Sequence, residues 1–319
     1  MHNRERDGFQ YVFGPVASRR LGLSLGVDLV PAKTCTLDCV YCEAGRTSCK
    51  TLERRDWVPV ESVLSELAEI LKENPLLDSI TFSGSGEPTL HSGIFFLIDE
   101  IHKRWPSCPV TVLTNGTLFF MEDVRSDLLG ADRVIASYDA ANFEVFHRLN
   151  RPCAGLSPEL MLQGFMEFRK NYAGEFWIEV FVVPGVNDTE GEMQALAWDI
   201  AKIGADRVQL NTLDRPGVET WVQPADSLLL ERFSSYLKSA EMPAFVQGKK
   251  EGGEVEDHVL SERILAMVKR RPYTLQDIVL TQGVASGQAE EVLQALLREE
   301  RVIEKAMPRG IFFVLAPKG

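Results

Sequence analysis

Cys35, Cys39 and Cys42 stand in the run Thr34-Cys35-Thr36-Leu37-Asp38-Cys39-Val40-Tyr41-Cys42, a C-x3-C-x2-C spacing with an aromatic residue before the last cysteine. Thiolates are ligands for soft metal centres, and a cubic iron–sulfur cluster takes one thiolate per iron. Three cysteines therefore hold three corners and leave one iron open to a ligand that is not protein. Two other readings compete. As buried small hydrophobes, positions i, i+4 and i+7 would share one helical face. Pro31 precedes them, however, Gly45 closes the segment, and Leu37, Val40 and Tyr41 leave no clean polar face. A structural zinc site wants a fourth protein ligand, usually from a second paired motif. No second C-x2-C exists, and the nearest downstream histidine is His91. The spacing favours the cluster.

The elements that must position this loop show a regular alternation. Short apolar runs at residues 25–30, 78–82, 110–113, 133–137, 176–183 and 207–210 read as strands. Amphipathic stretches at 61–72, 94–104, 121–129, 158–170 and 189–203 read as helices between them. Strands alternating with helices predict βαβ units and a parallel sheet. Right-handed crossovers would curl it toward a partial barrel, although the pattern leaves an open doubly wound sheet as an alternative. Polar and glycine-rich segments follow every strand: the cysteines, then Ser83-Gly84-Ser85-Gly86-Glu87-Pro88, Thr114-Asn115-Gly116, Ser137-Tyr138-Asp139, Pro184-Gly185-Val186-Asn187-Asp188 and Asn211-Thr212. In parallel α/β folds that edge is where ligands bind.

The chain has 319 residues and a net charge of −12, which argues against a general nucleic-acid coat. Residues 1–55, which carry the cysteines, are nonetheless +3, suiting an anionic substrate or a solvated basic face. No apolar run reaches the ~18 residues of a spanning helix. The polar start is followed by no apolar h-region, so a cytosolic protein with no membrane association is expected. Cys49, Cys108 and Cys153 are scattered and read as ordinary thiols.

The cysteine motif resembles the signature of the radical S-adenosylmethionine (SAM) superfamily, and the Ser83–Pro88 run resembles its Gly-Gly-Glu-Pro motif, with Ser85 at the first glycine. The similarity covers roughly residues 10–215. Phe13-Gly14-Pro15, Ser18-Arg19-Arg20-Leu21-Gly22 and Gly84 to His91 look most like a wyosine-synthetase-related group of Fe–S oxidoreductases. The resemblance implies an α/β fold with a partial (β/α)6 barrel. It implies that Cys35, Cys39 and Cys42 hold a [4Fe–4S] cluster, with the SAM amino and carboxylate groups on the open iron. Glu87, with backbone around Ser85 and Gly86, would bind the SAM ammonium. Ser137, Asp139 and Asn115 would hydrogen-bond the ribose, and Tyr41 would shield the cluster or lie near adenine. One electron, delivered by a flavodoxin- or ferredoxin-type donor, would cleave SAM to a 5′-deoxyadenosyl radical that abstracts hydrogen from substrate.

Three substrate classes stay open: a tRNA base, a peptide or protein, and a small anionic molecule. Arg19, Arg20 and Lys33 could bind an anion, and Arg148, Asn150 and Arg151 could form an anion clamp. His91 and His147 read as structural rather than acid–base groups. After an acidic, glycine-containing linker at 251–258, the helices expected at 260–270, 275–280 and 289–301 and the strands at 302–306 and 311–315 resemble a small winged helix. Its third helix is acid-rich at its start and residues 259–319 are only +2, which argues against duplex DNA. A non-enzymatic Fe–S winged-helix regulator is the competing class.

Overall fold

The computed structural model of the chain describes residues 9–18, 21–72, 77–237, 240–241 and 255–317; Arg19 and Arg20 lie outside them. β1 (Val12–Ser18) and β2 (Gly22–Val27) pair antiparallel. The two-residue strands β3 (Thr34–Cys35) and β4 (Cys49–Lys50) tie the cysteine loop to itself. Strand and helix then alternate through α1 (Val60–Leu71), β5 (Ser79–Phe82), α2 (Ile94–Arg104), β6 (Val110–Thr114), α3 (Glu122–Asp127) and β7 (Arg133–Ser137). They continue through α4 (Phe143–Asn150), α5 (Pro158–Asn171), β8 (Glu175–Val182), α6 (Glu190–Ile203), β9 (Arg207–Thr212), α7 (Ser227–Tyr236) and β10 (Ala240–Glu241).

The six expected strands are present. β1 escaped the sequence pattern because Gly14 and Pro15 interrupt it. An edge strand tolerates that pair, and its register breaks there, between Phe13 and Val16.

The large sheet has the order β1-β2-β5-β6-β7-β8-β9-β10, and every pair after β1–β2 is parallel. A doubly wound sheet reverses its strand order at a switch point. This order never reverses, so right-handed crossovers place successive helices on one face. The result is a parallel-dominated, singly wound sheet, consistent with a partial barrel. Leu25, Val27, Ile80, Phe82, Val112, Val134, Ile178, Val180 and Leu210 point to the helices and form the main core. Their neighbours Ser24, Gly26, Thr81, Ser137, Glu179 and Asn211 line a cavity on the opposite face. The period of two along each strand thus separates an apolar layer from a small and polar one.

The C-terminal module runs α8 (Asp257–Arg270), β11 (Tyr273–Thr274), α9 (Leu275–Gln282), α10 (Ser286–Arg298), β12 (Val302–Met307) and β13 (Gly310–Leu315), with sheet order β11-β13-β12. α8 begins inside the expected linker, whose residues 251–254 lie outside the described ones. The module has its own core around Leu260, Ile264, Ile278, Leu293 and Phe313, and Val16 of β1 joins it. Met307, at the hairpin turn, packs on the apolar cluster of Val40, Leu213 and Val222 beside the cysteine loop. Asp277 fastens the rest. It caps α9 through the backbone of Thr274 and pairs with Arg215 (3.0 Å) and Arg309 (2.8 Å), while Arg309 also meets Asp214 (3.0 Å). The module is therefore docked on the barrel through both β1 and the segment after β9.

Burial alone would push the Asp277 carboxyl up; the Arg309 hydrogen bonds and the Arg215 charge outweigh it and hold the group at about 2, against an ordinary 3.8. A depressed carboxyl stabilises the fold above its unfolded value and loses that contribution as pH falls toward the folded one. Docking should thus be at full strength above about pH 4 and weaken between about pH 4 and pH 2. Asp277→Asn should cost about 2 kcal/mol at neutral pH. It should also flatten that acid transition, measured by hydrogen exchange of α9.

Candidate functional site

The cysteine loop and the glycine loop are joined backbone to backbone. Lys33 N–H donates to Ser85 O at 2.7 Å, and Glu87 N–H donates to Thr34 O at 3.0 Å. The contact explains the glycines. A Cβ on Gly86 would stand 2.3 Å from Thr34 O, and one on Gly84, whose φ is +119°, would stand 1.7 Å from a carboxylate oxygen of Asp28. Asp28 in turn accepts from Ser85 N–H at 3.1 Å.

The three thiols lie within electrostatic reach of one another. Burial pushes Cys35 up to about 12 and Cys39 well above its ordinary range, and neighbouring thiols and Glu87 push the same way. Burial raises Cys42 as well, with the Lys33 charge opposing it. Such a pocket disfavours bare thiolates and suits thiolates neutralised by metal. Two amides are aimed at the sulfurs: Asn115 Nδ2 donates to Cys35 Sγ and Asn150 Nδ2 to Cys39 Sγ, both at 3.4 Å. Lys33 Nζ is buried and has no hydrogen-bond partner. Cys42 and Cys35 act on it most strongly after burial, ahead of Asp28 and Asp38, so an anionic cluster would give it a direct partner. Among the described residues no three His, Cys, Asp or Glu side chains converge on a single-ion position. A cluster does not require that, because each thiolate binds its own iron. The all-sulfur donor set, the two N–H···S contacts and the orphaned ammonium fit a cluster.

Glu87 is buried and bridges two strand ends. Its Oε1 accepts from Thr89 N (3.0 Å), Thr89 Oγ1 (2.6 Å) and Thr114 Oγ1 (2.6 Å); its Oε2 accepts from Asn115 N at 2.8 Å. Burial pushes its carboxyl up and these donors pull it back. Oε2 keeps a free lone pair on an oxygen beside the cavity, which is a seat for a cation. Asn115 is committed elsewhere: Nδ2 also bonds Thr36 Oγ1 (2.8 Å), and Oδ1 accepts from Thr117.

The cavity, about 380 Å³, is lined by Cys35, Tyr41, Cys42, Ser85, Gly86, Glu87, Asn115 and Ser137. Asp139 stands apart from that wall. It is buried, and its oxygens accept from Tyr41 Oη (2.5 Å), Asn150 Nδ2 (3.0 Å) and Phe181 N (2.8 Å). Asp139 therefore fixes Tyr41, whose ring also stacks on Phe181 at 3.9 Å. The expected anion clamp is not assembled, since Arg151 pairs with Glu219 (2.7 Å), Asn150 turns to Cys39, and Arg148 is exposed. His91 is structural: Nδ1 accepts from Gly93 N–H, so Nε2 donates to Val58 O. His147 bonds Phe143 O on the surface.

The sequence reading missed Glu179 and the cavity arginines Arg215, Arg270 and Arg271. An acid inside the apolar run of β8 was the available signal for Glu179. For the arginines none was available, because their placement depends on how the C-terminal module docks.

The family profile described as Radical SAM superfamily matches residues 29–197. A relative named GTPase Obg from Brachyspira hyodysenteriae is 35% identical over 92% of this chain, which spans only 43% of that protein's length. A UPF0026 protein from Methanocaldococcus jannaschii is 30% identical over 95% of both chains. A UPF0026 protein from Helicobacter pylori (strain J99) is 31% identical over 94% of this chain and 96% of its own. Among solved structures, a radical SAM methyltransferase from Sphaerobacter thermophilus superposes with a TM-score of 0.53 at 17% identity, covering 69% of this chain and 65% of that one; it speaks to the fold alone. No helix among the described residues is long and apolar enough to cross a membrane.

Glu87→Gln tests the bridge. The amide nitrogen must face a donor, either Asn115 N–H or the threonine cluster. The variant should lose about 1–3 kcal/mol in denaturant unfolding.

Proposed function

The chain belongs to the radical SAM superfamily, whose enzymes bind a [4Fe–4S] cluster and SAM, and on that premise we propose which residues hold them here. Cys35, Cys39 and Cys42 hold the cluster. When bound, the cluster, reduced by one electron from an external donor, would supply that electron to the C5′–S bond of SAM, giving methionine and a 5′-deoxyadenosyl radical able to take a hydrogen atom from substrate.

The chain's own residues hold and screen these groups. Glu87 Oε2 receives the SAM ammonium, with the Ser85–Gly86 backbone beside it, because it is the buried carboxylate oxygen with a lone pair to spare. Ser137, on the cavity wall, bonds the ribose. Asn115 and Asp139 act as positioning residues, the first through Cys35 and Glu87, the second through Tyr41. Tyr41, clamped between Asp139 and Phe181, keeps water from the thiols. The electron comes from an external donor of flavodoxin or ferredoxin type. Residues 1–250 are the catalytic unit, 251–258 the linker, and 259–319 a winged-helix-like module that covers one side of the cavity. A DNA-reading regulator fits less well, because α10 opens with Glu290 and Glu291 near its start and the hairpin turn is used against the barrel.

The observation that carries this reading is the bonded pair of loops, with Cys35, Cys42 and one open carboxylate oxygen of Glu87 on a single cavity and Cys39 beside the other two thiols. Anaerobically reconstituted protein with dithionite should convert SAM to 5′-deoxyadenosine, and Cys39→Ala should not. No product from the intact chain, or undiminished product from the variant, would overturn the assignment. A cation stabilises the more negative, reduced cluster. Lys33→Met should therefore move the cluster potential tens of millivolts more negative in a redox titration followed by electron paramagnetic resonance.

A further inference from the structure

Part of the cavity lining comes from the C-terminal module. Three guanidinium groups reach it: Arg215 from the end of β9, and Arg270 and Arg271 from the end of α8. Two of them are answered by carboxylates. Arg215 pairs with Asp277 at 3.0 Å and Glu43 at 3.6 Å and donates to Pro272 O. Arg270 pairs with Asp28 at 3.1 Å and lies 4.5 Å over the Phe13 ring.

Arg271 is different. Its one side-chain hydrogen bond runs from Nε to Tyr273 Oη at 3.2 Å, and its guanidinium lies 5.3 Å from the centroid of the same ring. No carboxylate among the described residues lies within ion-pair distance of it, although Glu43 and Asp277 act on it from farther away, and among the described residues neither Nη atom has a protein acceptor. Its charge also presses on Arg215. Two like charges thus share one wall, and the nearest carboxylates, Glu43 and Asp277, are both engaged in ion pairs with Arg215. A half-buried guanidinium whose Nη atoms have no direct anionic partner can take one, and its planar fork matches a carboxylate or phosphate with two parallel bonds. Tyr273 fixes the fork from the Nε side, so its outer edge is preset for a ligand.

We propose that Arg271, oriented by Tyr273, is the seat for an oxyanion of a small substrate, a carboxylate or a phosphate group. The inference rests on the radical SAM reading of the same cavity. The same lining carries Glu87, Glu179, Cys35 and Cys42, which suit a cationic sulfonium compound. The arginine wall suits a negative partner, and a ligand spanning the two would be aligned by charge at both ends. The volume of about 380 Å³ falls in the range of small-molecule sites. The seat also gives the docked module a role, because it supplies Arg271 and Tyr273 to the cavity.

The test is calorimetric titration of the full, anaerobically reconstituted chain with inorganic phosphate and, separately, with acetate, each with and without saturating SAM. One saturable site is expected for at least one of the two anions, and which one identifies the group. Arg271→Gln should weaken it at least about tenfold. Arg271→Lys should weaken it less, and Arg298→Gln, an exposed arginine of the same module, should leave it unchanged. The site should persist with SAM bound, and Arg271→Gln should still bind SAM. Four results overturn the proposal: no saturable site for either anion, equal affinity in both Arg271 variants and the parent, loss of the site when SAM binds, or weakened SAM binding in Arg271→Gln. An anion site that behaves as expected in a chain that does not cleave SAM would uphold the seat and sink the reaction.

Discussion

Parallel strands that follow one another without reversal must all end on the same rim, and that constraint assembles everything chemical in this chain. β2, β5, β6, β7, β8 and β9 deliver the cysteine loop, the glycine loop, Asn115, Ser137, Phe181 and Asn211 to one edge. None of these residues is near the others in sequence. Crossover handedness does the gathering, and the period of two along each strand decides which side chains face the helices and which face the cavity.

The rim is then held by polar bonds as well as by the apolar cluster around Val40 and Phe181. Glu87 spans two strand ends, Asp139 spans Tyr41 and Phe181, and Asn150 reaches from α4 to Cys39. Asn187 adds a further brace, its side chain bonding Asp139 O, Phe181 O and Val183 N. Each is buried and nearly saturated, which is the condition under which a buried polar network rigidifies rather than weakens a fold. Two buried atoms here have no hydrogen-bond partner, Asn150 Oδ1 and the Lys33 ammonium beside Cys35 and Cys42.

Much of this was legible in the sequence. The cysteine spacing stands out because few other chemistries want three thiols at that interval, and the strands stand out because alternation with amphipathic helices is regular. The role of Asp139 was not legible: a carboxylate two residues past a strand looks the same whether it faces a ligand or a neighbouring tyrosine. Arg151 misled for a related reason, since its partner Glu219 is far along the chain. β1 was hidden by Gly14 and Pro15, which read locally as breakers and are tolerated only because the strand has a free edge. The arginine wall was invisible because contacts between two separately folded cores leave no periodicity.

The C-terminal module grips the sheet near both of its ends, through Val16 on β1 and through Asp214 and Arg215 after β9. Mechanically this is a belt buckled across a split ring. While it is fastened, the strands cannot splay and the mouth keeps a fixed width. Anything too bulky for that gap enters only by unbuckling the belt, so access to the chemistry and cohesion of the two cores become one equilibrium.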